Sequence, residues 1–325
     1  MNGPWDVHSD CTPDCARHAL PRVPAAEAMR RSAVFAHRVR RALTDGGRMA
    51  DPVRLRAHAA GLLDALDIRL EGPPPVDGPP GAGAGSLTAP GGGPGTLLVV
   101  NHISWLDIPA LLAVEPVTLL AKREVGGWPV VGGLARRAGT FFIDRTDPRQ
   151  LPSTVRELAE LLGSGRSVAV FPQATTWCTA GRGVFRRATF QAALDAGAPV
   201  RPVTLGYAQQ GRPSTVAAFC GADTFLGSLR RVVAARALTV RVTVHPVLTT
   251  GDGADRRELA ARAERAALYG RPLTAVPASA PGSGSASAPA SASVPASASV
   301  PVPASVPASA SVPVPGAVRA ARVHV

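Results

Sequence analysis

Lysine is almost missing from this chain: Lys122 is the only one, and arginine supplies nearly all of a formal net charge of +12. Aromatic residues are scarce too, at 4%, which argues against a stacking platform for single-stranded nucleic acid. With no zinc-finger or RNP-like motif either, no nucleic-acid partner is expected. A basic surface without those features suits anionic lipid or anionic small substrates. No apolar run reaches the ~18 residues of a membrane span, so no transmembrane helix is expected. The amino terminus lacks an apolar stretch before a small-residue cleavage site, so a signal peptide is not expected. The four cysteines, Cys11, Cys15, Cys178 and Cys220, are too few for a dense disulfide framework, and a reduced cytosolic setting fits them. His8, Cys11, Cys15 and His18 have the spacing of metal ligands. They lie in a Pro-containing stretch with little core around it, so a loose or locally packed segment is expected and no metal is assigned.

Glycine and proline, by contrast, are abundant (33 and 32 residues) and clustered. Their distribution divides the chain. Residues 1–24 read as irregular and 25–71 as a helical amino-terminal region. Residues 72–95 read as a flexible Pro/Gly-rich insertion, and 96–272 as the main folded domain. Residues 273–325 form a Pro/Ala/Ser/Val-rich tail with almost no charge or large apolar side chains. Such a segment cannot bury enough surface to offset an ordering cost of about 1–2 kcal/mol per residue, so a disordered tail is expected.

Residues 25–44 have a helical pattern. Asp51-Pro52 reads as an N-cap with proline at the first helical position, and Leu55, Ala59, Leu62, Leu63 and Leu66 mark one face. Strands are expected around Ile68–Leu70, at 97–100, 117–121, 140–143, 168–171 and 200–205, and over the alternating 238–244. Ser104 is expected to open a helix. Thr154 with Glu157 reads as a capping box, 185–196 as a helix stopped by Gly197, and Asp255 with Glu258 as the cap of a last helix. Alternating strands and helices predict an α/β fold with a mostly parallel central sheet flanked by helices.

Three strand ends carry polar residues. Leu97-Leu98-Val99-Val100 runs into Asn101-His102-Ile103-Ser104-Trp105-Leu106-Asp107. If the apolar run is a buried strand, His102 stands at its carboxyl end and Asp107 in the following helical turn. That suits a general base with an orienting carboxylate, where open α/β sheets place their sites. A satisfied structural histidine is the alternative. Gly139-Thr140-Phe141-Phe142-Ile143 is followed by Asp144 and Arg145, whose guanidinium fork suits phosphate; an ordinary Asp-Arg pair is the alternative. Phe171-Pro172-Gln173-Ala174-Thr175 follows a third strand, where small and hydroxyl residues let an acceptor approach or simply make a turn. Val200-Arg201-Pro202-Val203 is a proline-bracketed strand entry that shapes the pocket.

In this order the blocks resemble those of the glycerolipid acyltransferase family that includes 1-acylglycerol-3-phosphate acyltransferases. Asn101-His102-x4-Asp107 matches the first block, Gly139 to Arg145 the second, Phe171-Pro172 with Thr175 part of the third, and Val200 to Val203 the fourth. The resemblance covers about 97–206. It implies transfer of a fatty acyl group from acyl-CoA or acyl-carrier protein to the hydroxyl of a lysophospholipid, foremost 1-acylglycerol-3-phosphate, giving phosphatidic acid. It implies His102 as base, Asp107 as its orienter and Arg145 on the acceptor phosphate. Asn101, Ser104, Gln173, Ala174 and Thr175 would complete the substrate site, with neither metal nor cofactor in the chemistry. It also implies a cytoplasmic enzyme, peripheral on the inner face of the cell membrane. Arg30, Arg31, Arg38, Arg40 and Arg41 would meet the anionic surface, with Trp128, Pro129, Val130 and Val131 as apolar contacts. The third block departs from the family's Phe-Pro-Glu-Gly-Thr at Gln173 and Ala174. A catalytically weakened lipid-binding paralogue is therefore the competing reading. A hydrolase is disfavoured by the lack of a Gly-x-Ser-x-Gly elbow.

Overall fold

The computed structural model describes residues 7–73, 86–144, 148–251 and 255–269. The described residues all belong to one compact unit, within Met1–Thr274. The expected disordered tail lies outside the described residues, as does Arg145.

Two helices come first, α1 (Ala25–Thr44) and α2 (Pro52–Ala65), then strands β1 (Arg69–Glu71) and β2 (Leu97–Val100). They are followed by α3 (Asp107–Val114), β3 (Thr118–Lys122), α4 (Arg123–Gly126), α5 (Val131–Arg137) and β4 (Phe141–Ile143). Next come α6 (Leu151–Gly163), β5 (Val168–Val170), α7 (Ala188–Asp195), β6 (Val200–Gln209) and β7 (Arg212–Pro213). The series ends with α8 (Phe225–Val233), β8 (Leu238–Val244) and α9 (Arg256–Glu264), which runs into a π-helical turn at Arg265–Tyr269.

The sheet has the order β1-β8-β6-β2-β5-β3-β4, with β7 hairpinned onto β6. Its pairs are parallel except β6 with β8 and with β7. The expected mostly parallel α/β sheet is thus present. β2 is buried on both faces, which is why it is apolar at every position. Leu98 and Val100 pack in one core with residues of α1, α2, α3 and α8. Leu97 and Val99 point to a second core with α6, α7 and α9.

Local chemistry explains most boundaries. Asp51 Oδ1 accepts from Arg54 N–H at 3.0 Å and Pro52 takes the first turn of α2. Asp255 caps α9 through Arg257 N–H. Gly197, with φ +60°, follows α7 as the left-handed residue expected there. Other expectations need correction. Thr154 lies inside α6, and its hydroxyl donates to the Gln150 carbonyl at 3.0 Å, so it is not the cap. The helix expected from 185 begins at Ala188, and the one expected from Ser104 begins at Asp107. Within the expected flexible insertion, residues 86–88 are held. The Glu115 carboxylate accepts from Ser86 Oγ, Leu87 N–H and Thr88 Oγ1 at 2.5–2.7 Å, and Leu87 is fully buried. α5 depends on Gly132, where an added Cβ would lie 2.1 Å from the Gly126 carbonyl oxygen.

Candidate active site

β2 delivers His102 at the carboxyl edge of the sheet, two residues past its last strand position. The turn 103–106 brings the chain back so that Asp107 opens α3 beside the imidazole. His102 Nδ1 and Asp107 Oδ2 are 2.8 Å apart. The same oxygen accepts the backbone N–H groups of Ile103 at 2.7 Å and Ser104 at 2.9 Å. A carboxylate in the first turn of a helix is also favoured by the helix dipole. Asp107 is fully buried, whereas the His102 side chain keeps 22% of its surface. The buried carboxylate thus orients a ring that solvent and a ligand can reach.

Two further strands complete the setting. β6 pairs with β2 only through Val203 and then runs on to Gln209, past the end of β2. This overhang carries Tyr207 to the turn, where its hydroxyl donates to Asp107 Oδ1 at 2.6 Å. Burial first, and then the neighbouring Asp107, push that hydroxyl well above the ordinary tyrosine range. Tyr207 is therefore a donor at neutral pH. On the other side of β2, β5 leads into Phe171, whose ring stacks on His102 with centroids 4.1 Å apart.

The sequence expectations fall into place unequally. Gln173 is buried, and its Oε1 accepts the His102 backbone N–H at 2.6 Å. Its Nε2 donates to the Arg182 carbonyl. An amide satisfies both partners; a glutamate there would offer only acceptors unless protonated. Ala174 has φ +62°, the left-handed region where the family's glycine would be at ease. Thr175 is half-buried in the same turn. Asn101 is fully buried; its Nδ2 donates to the Leu205 carbonyl and its Oδ1 accepts the Leu205 N–H, at 3.0 and 2.7 Å. Ser104 is also fully buried, and its hydroxyl oxygen accepts from Leu106 N–H at 3.2 Å. Of the two residues expected at the substrate, Asn101 therefore spends its amide on strand β6 and Ser104 its hydroxyl inside the turn. Arg201 is buried as well, donating to the carbonyls of His245 and Thr88. At the far end of the same edge, Arg123 pairs with Asp144 at 3.0 Å, next to the position of Arg145.

Tyr207 and Phe171 were not identified as site residues in the sequence. Tyr207 is 100 residues from its partner, and only the register of β6 on β2 reveals it. Arg31, expected on a lipid-facing surface, is buried: it bonds Glu27, Asp67 and the Ala235 carbonyl at 2.9, 2.5 and 2.8 Å.

Fold and site together define an α/β protein that holds an accessible imidazole, backed by a buried carboxylate, at the carboxyl edge of a parallel sheet. Comparison with known proteins agrees. Residues 86–206 match the family model described as Acyltransferase. A lyso-ornithine lipid O-acyltransferase of Pseudomonas aeruginosa is 39% identical over 54% of this chain and 68% of its own. A 1-acyl-sn-glycerol-3-phosphate acyltransferase of Neisseria meningitidis is 38% identical over 61% of this chain and 73% of its own. Among solved structures, the 1-acyl-sn-glycerophosphate acyltransferase PlsC of Thermotoga maritima shares the fold, with a TM-score of 0.50 and 19% identity. That match covers 75% of this chain and 93% of the other. The chain belongs to this acyltransferase family.

Proposed function

We propose that the protein transfers a fatty acyl group from a thioester, acyl-CoA or acyl-carrier protein, to the free hydroxyl of 1-acylglycerol-3-phosphate. The observation that carries this reading is the 2.8 Å contact between His102 Nδ1 and a fully buried Asp107. With Nδ1–H donating to the carboxylate, Nε2 is the nitrogen left to take the acceptor's proton. The hydroxyl oxygen attacks the thioester carbonyl carbon as its proton moves to Nε2. The tetrahedral intermediate collapses, the C–S bond breaks, and the imidazolium returns the proton to the departing sulfur. The products are an ester and a thiol. Asp107 stabilises the imidazolium, while Phe171 and Gln173 fix the ring and its backbone. Asn101 and Ser104 hold the turn, and Thr175 lines the approach of the acceptor. Gln173 and Ala174 adapt the third block to this chain, which favours a working enzyme over a weakened lipid-binding paralogue.

Arg145, on the strand-end block that matches the family's second, is assigned to the acceptor phosphate. The lyso-ornithine lipid enzyme among the relatives supports a second acceptor class, with an amino-acid headgroup in place of phosphate. A panel of lysophosphatidate and lyso-ornithine lipid, each with acyl-CoA and acyl-carrier protein, separates them. Esterified lysophosphatidate as the main product supports the first reading; preference for lyso-ornithine lipid replaces it.

Both acceptors reside in bilayers, so peripheral membrane binding is part of the proposal. Among the described residues, no helix is long and apolar enough to cross a membrane. Arg30, Arg40 and Arg41 of α1 are exposed, as are Trp128 and Val130. An anionic cytoplasmic leaflet attracts such arginines by about 1 kcal/mol each when they lie near its surface.

A further inference from the structure

Three of the four cysteines bring their sulfurs together, and the fourth lies in a loop packed beside them, although they come from three separate segments. Cys11 and Cys15 belong to the amino-terminal segment, spaced C-x3-C around a short 3-10 turn, Pro13–Cys15. Cys178 follows β5, and Cys220 lies in the loop between β7 and α8. The sulfurs of Cys11, Cys15 and Cys178 all lie within 4.8 Å of one another, and Cys11 Sγ is 3.3 Å from Cys178 Sγ. Cys220 is brought alongside by the backbone, because Gly221, directly after it, packs against the Cys11 carbonyl. Cys11, Cys178 and Cys220 are buried. His8 and His18, paired with Cys11 and Cys15 by sequence spacing, do not belong to this group.

We propose that Cys11, Cys15, Cys178 and Cys220 form a structural zinc site that ties the amino-terminal segment to the two loops supporting the catalytic turn. Three sulfurs within 4.8 Å of one another, two of them in C-x3-C spacing, with Cys220 in the adjoining loop as the fourth ligand, make the donor set of a closed tetrahedral zinc centre. The surroundings suit bound thiolates. The Cys178 backbone N–H points at Cys11 Sγ at 3.4 Å. The Arg182 guanidinium, paired with Asp10 at 3.3 Å, sits close enough to Cys11 and Cys178 to offset their negative charge. The backbone is shaped for the approach. Gly221, directly after Cys220, has φ +59°, and an added Cβ would lie 2.8 Å from the Cys11 carbonyl oxygen. A Cys11–Cys178 disulfide would use only two sulfurs and leave Cys15 and Cys220 without a role.

The position gives the site its purpose. Trp177, one residue before Cys178, donates its backbone N–H to the His102 carbonyl at 2.8 Å. Phe219, one residue before Cys220, donates to the Ile103 carbonyl at 2.9 Å. Thr176 Oγ1 bonds the Phe219 carbonyl and joins the two loops. A metal held by Cys178 and Cys220 therefore braces both backbone supports of the His102–Ile103 segment without touching substrate.

The test is metal content of the full-length protein, produced in zinc-supplemented medium and purified without chelator or added oxidant. About one zinc per chain is expected, with zinc lost from Cys11→Ser and retained in His18→Ala. Replacement by cobalt(II) is expected to give the intense thiolate-to-metal absorption of a tetrahedral sulfur site. If Cys11→Ser does not fold, Cys15→Ser, at the least buried of the four positions, serves the same comparison. Chelation of the wild-type protein is expected to lower its melting temperature. Metal-free protein with four titratable thiols overturns the proposal. A Cys11–Cys178 disulfide in the purified protein, or zinc retained in both serine variants, overturns it as well.

Discussion

Tyr207 and His102 share one carboxylate: the tyrosine hydroxyl donates to Asp107 Oδ1 at 2.6 Å, while His102 Nδ1 bonds Oδ2 at 2.8 Å. The two backbone N–H groups of the turn also fall on Oδ2. The Asp107 carboxylate is thus fixed by both its own helix start and a strand residue 100 positions away.

Tyr207→Phe removes a hydrogen bond to a charged, fully buried group, which typically contributes about 1.5–3 kcal/mol. We expect a lower melting temperature and a fall in kcat of roughly tenfold, with KM for the acyl donor unchanged. Steady-state kinetics on the purified variant check this split. A change confined to KM would place Tyr207 at the substrate instead.

Gln173→Glu, which restores the family's residue, is expected to harm this protein. The buried amide donor to the Arg182 carbonyl would become an acceptor facing that oxygen, losing a hydrogen bond that contributes about 0.5–1.5 kcal/mol. Thermal melts of the variant at neutral pH should show the loss, together with lower turnover. A variant as stable and active as the wild type would mean that the Gln173 bonds carry no weight.

Ala174→Gly relieves a left-handed backbone that costs an L-residue roughly 1–2 kcal/mol. The flexibility gained by the unfolded chain offsets part of that gain. We expect stability equal to or slightly above the wild type, and a clear loss for Ala174→Val, because branching at Cβ resists positive φ. A large loss in the glycine variant would show that the methyl group packs usefully.

Arg145→Ala should raise KM for a phosphate-bearing acceptor and leave KM for the acyl donor unchanged. Kinetics with lysophosphatidate varied at saturating donor measure this. A rise for the donor alone would move Arg145 to the other substrate.

Much of this was legible in the chain because it rests on local rules. The apolar run 97–100 reads as a buried strand, and a histidine just past such a strand stands at the sheet's carboxyl edge. Asp51-Pro52 and Asp255 announced helix starts through side-chain capping. What escaped was set by tertiary register. The antiparallel pairing of β8 with β6 leaves no mark in the alternation of 238–244. Tyr207 becomes part of the site only because β6 outruns β2. α8 was missed because its burial is confined to Ser228, Val232 and Val233. Arg31 looked like one surface charge among many, yet it is buried against Asp67 and the Ala235 carbonyl. The convergence of Cys11, Cys15 and Cys178 likewise depends on a loop that no spacing rule connects.

In the proposed reaction His102, held by Asp107, drives acyl transfer to a lysophospholipid hydroxyl. The direct measurement is ester formation from labelled acyl thioester and lysophosphatidate by wild-type protein and by His102→Ala, with folding of the variant checked by circular dichroism. Loss of a general base typically costs about 10²–10⁴-fold, so the wild type should form phosphatidate and the folded variant should fall by that factor or more. Near wild-type turnover by folded His102→Ala would contradict the account.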